Sequence, residues 1–237
     1  MCGRYVSPEE RAIEQFFELH RIQPFVGCYN ATPSMLLPVV RAIDGRLVAE
    51  PMQWGLIPGW WNRDELPTRT HNARAEEAAA KPMWRAAVKN TRALIPAMGY
   101  YEWQGTSTPK QPYFMHRPGN ELFCFAGLWS QWRPSGAAAV GAGAGGEPLL
   151  TYSILTTAAS PAMSEVHHRM PVVLPRDAWS TWLDTSQKDA DAALRLALAS
   201  AYPTMQFHRV SMRVNATKNN DETLIMPFEE GVQANLL

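Results

Sequence analysis

Cysteine is scarce in this chain, and what there is lies scattered. The 237 residues hold three cysteines, Cys2, Cys28 and Cys124. They form no CxxC pair and no even set, so neither a disulfide framework nor a structural zinc site is expected, and the compartment reads as reducing, hence cytoplasmic. Net charge is missing as well: 22 Lys and Arg balance 22 Asp and Glu. That excludes a global basic field for nucleic acid; a local patch stays open. No run of about 18 apolar residues occurs, so no membrane span is expected. The N-terminus lacks a charged stretch followed by an apolar one, so no signal peptide is expected either. Internal repeats are absent.

What is present is 46% hydrophobic and 10% aromatic residue content, enough to bury a core. The segment SPEERAIEQFFELH reads as a helix, with Ser7 as N-cap, Pro8 at the first helical position and Glu10 closing a capping box. Two apolar runs flank Asp44-Gly45, a hairpin signal. ARAEEAAAKPMWRAAVKN is helical, split or restarted at Pro82. From Arg92 to Trp129 the pattern is β, punctuated by turns such as Pro118-Gly119-Asn120. LLTYSILTT reads as a strand, DADAALRLALASA as a late helix and MQFHRVSMRVN as a last strand. Without a βαβ rhythm, these elements predict one α+β domain over residues 2–230, with a mainly antiparallel, barrel-like sheet flanked by helices. Residues 133–148, rich in Gly and Ala, read as a flexible insert.

Five stretches carry groups capable of chemistry. Cys2 follows the initiator methionine, and its small side chain permits removal of Met1. The product is a 1,2-aminothiol, whose amine has a reference pKa of ~7.7 to 8.0 and whose thiol one of ~8.5. An amine attacks an aldehyde to give a Schiff base. The adjacent thiol then adds to that imine and closes a durable thiazolidine, which an internal cysteine cannot do. In THNARAE, Asn72 and Arg74 share a face if the segment is extended; an amide can orient a nucleophile, and an Arg forks onto phosphate. The alternative is a turn with a solvated Arg. In GYYEWQG, Glu102 sits in an aromatic strand, either buried with a raised pKa and usable for proton transfer, or facing outward by alternation. In VHHRMPVVL, His167 and His168 would point oppositely on an extended chain, a poor metal pair, leaving one as an acid–base group or as a structural histidine. Trp60 and Trp61 follow Pro58-Gly59, where a loop is expected; loop aromatics stack on nucleobases, though most of the nine tryptophans belong in the core.

The motifs MCGRY, YNATP, WGLIPGW, NARAE, YYEW, FAGLW, TTAAS and HHRMPVVL occur together and in this order. In this the sequence resembles the SRAP family of SOS response-associated peptidase-like, abasic-site-processing proteins, from Cys2 to about Pro227. The resemblance implies the SRAP fold and a mature N-terminal cysteine that crosslinks to abasic sites in single-stranded DNA. It implies Cys2 as the nucleophile, Asn72 holding the amine or sugar, Glu102 shuttling protons, and His167 assisting sugar opening and Schiff-base chemistry. It places Arg4, Arg74 and Arg169 on flanking phosphates, Thr156 in the pocket, and Pro33 and Trp60 against the strands. No cofactor or metal is implied, and the protein would act as a monomer. The family pattern has an acidic or amide-like residue where this chain has His168. Weak β-elimination is an implied side activity. Two other readings stay open on the residues: an N-terminal-cysteine peptidase acting on its own precursor, and a non-catalytic single-strand binder.

Overall fold

The computed structural model describes residues 2–106, 108–133, 148–186, 188–201 and 205–228. Most of the expected Gly/Ala insert, and residues 229 and 230 of the expected domain, lie outside the described residues.

The Asp44-Gly45 signal produces the hairpin it predicts. Strands β3 (Leu36–Ile43) and β4 (Arg46–Trp54) pair antiparallel from Leu36↔Gln53 to Ile43↔Arg46. Both turn residues are left-handed, Asp44 at φ 48° and Gly45 at φ 77°, as a two-residue turn matched to strand twist requires. Strands β6 (Arg92–Ala97), β9 (Phe123–Trp132) and β10 (Leu149–Ala158) extend this hairpin. The order β10-β4-β3-β6-β9 closes through a β9–β10 ladder into a five-stranded barrel. The short strands β5 (Asn72–Arg74) and β11 (Arg169–Pro171) flank the end of β10, and β12 (Val173–Leu174) pairs with β9. The pairings are mainly antiparallel; β10 with β4 and with β5 are parallel. A second sheet has the order β13 (Gln206–Arg209), β8 (Gln111–His116), β7 (Gly99–Gln104), β1 (Tyr5–Ser7), β2 (Cys28–Ala31).

Alternation along the barrel strands feeds two cores. Val40, Leu94, Cys124, Ala126, Leu128 and Leu155 face a layer of helices: α1 (Glu10–Phe17), α3 (Pro82–Asn90), α5 (Trp179–Leu183) and α6 (Ala190–Ser200). Val39, Met52, Trp54, Ile95, Phe125, Tyr152 and Ile154 face the other way and pack with Cys2 and with Tyr5 and Tyr100 from the second sheet. Trp54, Trp84, Trp132, Trp179 and Trp182 are buried, so just over half the tryptophans are core. Two short helices, α2 (Ala75–Ala78) and α4 (Pro161–Ser164), lie beside the strand ends that carry the candidate site.

Four expectations need correction. Ser7 is not a helix cap: it ends β1 opposite Cys28, and α1 begins at Glu10 behind Glu9 with no side-chain cap. The β1–β2 ladder holds Ser7 extended, so the chain cannot turn into a helix until Pro8 and Glu9 have passed. The same helix stops at Phe17, where Glu18 turns left-handed, instead of running to His20. The continuous β run from Arg92 breaks at Met98, sending β6 to the barrel and β7 to the second sheet. Gly99 permits this switch: a Cβ there would lie 2.2 Å from the Phe114 ring and 2.6 Å from the Met115 carbonyl oxygen. The last strand ends at Arg209, and Met212–Asn215 form a 3-10 turn started by the Ser211 hydroxyl.

Arg92 ties the barrel to the helix layer. It is buried, and its guanidinium donates to the carbonyls of Val88 (2.7 Å), Trp182 (2.5 Å) and Asp184. Arg92→Met strands the Val88 and Trp182 carbonyls in a dry environment, each worth about 1–3 kcal/mol when left unpaired. The variant is expected to lose about 3–5 kcal/mol of stability, read as a lower urea midpoint at unchanged slope.

Candidate active site

Main-chain ladders aim the chemical side chains at one end of the barrel. β1 lies beside β7, with Tyr5 opposite Tyr100 and the Tyr101 N–H donating to the Arg4 carbonyl at 3.0 Å. Cys2, just before β1, is fully buried, with its Sγ 3.9 Å from that same carbonyl oxygen. Burial pushes the Cys2 thiol well above the usual thiol range, and the Glu102 carboxylate raises it further.

Asn72 reaches Cys2 from β5. The Ile154 N–H and the Trp54 indole N–H both donate to the His71 carbonyl, at 3.0 and 2.8 Å, pinning the chain next to Asn72. From there the buried Asn72 Nδ2 donates to the Cys2 carbonyl at 2.7 Å. Because a carbonyl only accepts, this bond fixes the amide orientation. Among the described residues the buried Asn72 Oδ1 has no hydrogen-bond partner, so a desolvated acceptor stands beside Cys2.

Glu102 lies on β7 opposite Tyr113 and is buried, not outward-facing. Burial raises its pKa above the ordinary carboxylate value. His167 stands where the chain leaves α4, its N–H donating to the Met163 carbonyl at 3.1 Å. Its Nδ1 is 3.9 Å from Glu102 Oε1 and faces both the Arg169 N–H at 3.0 Å and the Arg169 carbonyl oxygen at 3.1 Å, so the ring's tautomer decides which of the two it bonds. Burial lowers the His167 pKa. A carboxyl pushed up and an imidazole pushed down approach each other in proton affinity, which favours exchange of a proton between them. The two histidines do not diverge as expected of an extended chain: their rings stack at 4.3 Å and 29°. The backbone turns at 165–166 and bends at His168, so side-chain alternation does not apply.

The remaining expected residues divide. Thr156 is buried on β10 between Arg74 of β5 and Pro171 of β11, so β10 gathers Arg74 and Arg169 on its two flanks. Arg74 is exposed and pairs with Glu77 at 3.5 Å. Arg169 forks onto Glu76, both bonds 2.9 Å, and donates to the Thr156 carbonyl at 2.7 Å. Arg4 turns to the far side of β1, donating to Asn30 Oδ1 and the Val214 carbonyl, each at 2.7 Å. Pro33 sits half-buried between β2 and β3, and Trp60 is 54% exposed on its loop. Sequence reasoning missed Glu76 and Asn30. Glu76 was visible as the last letter of NARAE, but its partner is 93 residues away, and no local pattern links the two.

Comparison with known proteins identifies the family. The family described as SOS response associated peptidase (SRAP) matches residues 1–217. The chain is 32% identical over 234 residues to the abasic site processing protein YoaM of Bacillus subtilis, covering 95% of this chain and 97% of that one. It is 29% identical to the abasic site processing protein YedK of Escherichia coli (96% and 100% covered) and 33% identical to the abasic site processing protein HMCES of Gallus gallus (86% and 67% covered). Among solved structures, a Bordetella bronchiseptica protein superposes with a TM-score of 0.71 at 23% identity, covering 89% of this chain and 100% of that chain. A Bacteroides thetaiotaomicron protein gives 0.70 at 23% identity, covering 92% and 90%. With the ordered motifs, the barrel and a match over residues 1–217 in agreement, the chain belongs to the SOS response associated peptidase (SRAP) family.

Proposed function

We propose that this protein processes abasic sites in DNA, and that it does so by covalent capture of the lesion in single strands through Cys2. The names of its relatives support the first part. The observation that carries the second is the convergence on residue 2: Asn72 holds its carbonyl at 2.7 Å, and the charge of the buried Glu102 acts on its thiol.

With Met1 removed, the Cys2 amine attacks the C1′ aldehyde of the ring-opened sugar. The carbinolamine loses its hydroxyl as water, a proton coming from the Glu102 carboxyl while the nitrogen gives one up. The sulfur then adds to the imine carbon, and the thiol proton passes to the nitrogen. One water leaves overall and the catalyst is regenerated. A thiol whose pKa is raised needs a base at this step, and a carboxylate of raised pKa is a better base than an ordinary one. His167, with Nδ1 toward Glu102, relays protons to and from the sugar. Asn72 Oδ1 accepts from the amine. The imine acidifies C2′, so slow β-elimination accompanies capture. Arg74 and Arg169 serve the flanking phosphates, Thr156 lines the pocket, and Pro33 and Trp60 exclude the second strand; Arg4, engaged by Asn30 and Val214, is left out of this set.

Incubated with a single-stranded oligonucleotide bearing one abasic site, the protein is expected to give an adduct that survives SDS without borohydride. Its mass should equal the chain lacking Met1 plus the oligonucleotide minus one water. No adduct, or an adduct that retains Met1, overturns the proposal.

A further inference from the structure

Net neutrality has a local counterpart at the strand ends. Two of the three arginines offered for phosphate already face carboxylates, and both carboxylates come from the single turn of α2: Arg74 pairs with Glu77, and Arg169 with Glu76. The second pair is the better built. It is bidentate, the geometry in which carboxylate and phosphate are interchangeable partners for a guanidinium. Thr157 Oγ1 adds a third donor to Glu76 at 3.3 Å.

The two partners are not equally anchored. The Arg169 side chain is 12% exposed, and the Thr156 carbonyl grips it at 2.7 Å independently of Glu76. The Glu76 side chain is 43% exposed, so it swings into water with little loss of solvation. When an anion competes for Arg169, the carboxylate leaves and the guanidinium stays. We propose that Glu76 occupies the phosphate seat of Arg169 as an internal competitor, which a backbone phosphodiester must displace. This rests on the reading of Arg169 as a phosphate contact in the proposed function and adds the residue that sets the strength of that contact. An occupied seat lowers affinity for any strand, undamaged DNA included. Durable retention is left to the covalent bond, which only an aldehyde-bearing strand forms. Glu76 is thus a specificity-determining residue that separates lesions from intact strands.

The test uses an intact oligothymidylate, which has no aldehyde, bound to the full chain across a salt titration. Glu76→Gln keeps the shape and removes the competing charge. It is expected to bind roughly tenfold tighter at low salt, the scale of one charge-assisted contact. The slope of log K against log salt should steepen by about 0.7, one more phosphate contact on a single strand. Adding Arg169→Gln should cancel the gain. A merely structural ion pair predicts the reverse, weaker binding by Glu76→Gln. Unchanged or weaker binding, or no binding by either protein, overturns the proposal. In the wild-type chain, carboxylate NMR gives a second reading that needs no variant. Burial opposes ionisation of Glu76, but its bonds to Arg169 hold the carboxyl below the usual range. Saturating oligothymidylate should return it toward the ordinary value, and no movement counts against displacement. Adduct formation by the wild type is scored separately. Tighter binding by Glu76→Gln without any wild-type adduct refutes covalent capture and keeps the seat; normal adduct with no effect of Glu76→Gln does the opposite.

Discussion

Cys2→Ala is expected to reduce the SDS-stable adduct with abasic single-stranded DNA to background, while Cys2→Ser should give a product seen mainly after borohydride trapping. Both variants remove the sulfur and keep the α-amine, so together they separate ring closure from imine formation. Alanine keeps the α-amine, so imine formation continues, but nothing closes the ring and the imine hydrolyses on work-up. Serine offers an oxygen whose ring reopens far more readily than a thiazolidine, so its imine accumulates without a durable product. Neither change should unfold the chain. Cys2 packs with Tyr5 and Tyr100 in a buried cluster, and losing one sulfur there costs about 1–2 kcal/mol, which thermal unfolding measures directly. The contrast also discriminates among mechanisms. A non-catalytic binder would hold intact strands equally well after either substitution. A thiol that captured DNA without the amine would lose everything in Cys2→Ser, trapped product included. Full adduct from Cys2→Ala would end the proposal.

The sequence revealed identities at this site better than it revealed shape. Cys2 was legible because the proposed aminothiol depends on position in the chain rather than on environment. The Asp44-Gly45 hairpin was legible because two left-handed residues leave the backbone few alternatives. Glu102 was ambiguous in sequence: alternation allows either face, and only the packing of β7 between β1 and β8 decides that it is buried. The failures share a cause. Ser7 has cap chemistry, yet a ladder to β2 overrides it. The histidine pair was read with strand geometry, but a turn governs it. The Arg169–Glu76 fork joins residues 93 apart, and Arg4 is bound by Val214, 210 residues on. Local pattern specifies elements and chemically singular positions. Which charge meets which is settled by closure of the barrel, a non-local event.

Glu102→Gln is expected to slow adduct formation by about 10²- to 10⁴-fold, the usual worth of a positioned acid–base group, while making the folded protein more stable at neutral pH. Both effects follow from burial. An unfolded glutamate titrates near ~4.3; in the fold, burial raises that value. Between the two, the native state holds the proton more tightly than the unfolded state, so stability falls as pH rises through this window, and the loss is complete above the folded pKa. Glutamine cannot ionise and escapes the loss. Its advantage should therefore be largest above the raised Glu102 pKa and vanish well below the unfolded value near ~4.3. Each 1 kcal/mol corresponds to roughly 2–4 °C in Tm for a chain of this size. His167 acts with the opposite sign. Its pKa is lowered by burial, so the stability it contributes is present above the unfolded value near ~6.5 and is lost as pH falls through the lowered one. The comparison should therefore be the difference between wild type and variant at each pH, read above the His167 range, where that ring is neutral in both. The rate shows the same group from the catalytic side. The dehydration step in the wild type should slow as pH rises through the raised Glu102 pKa, and that limb should be missing from the residual rate of Glu102→Gln. If the stability difference is flat with pH, or the limb survives the substitution, Glu102 is not the acid, and proton transfer at C1′ passes to His167.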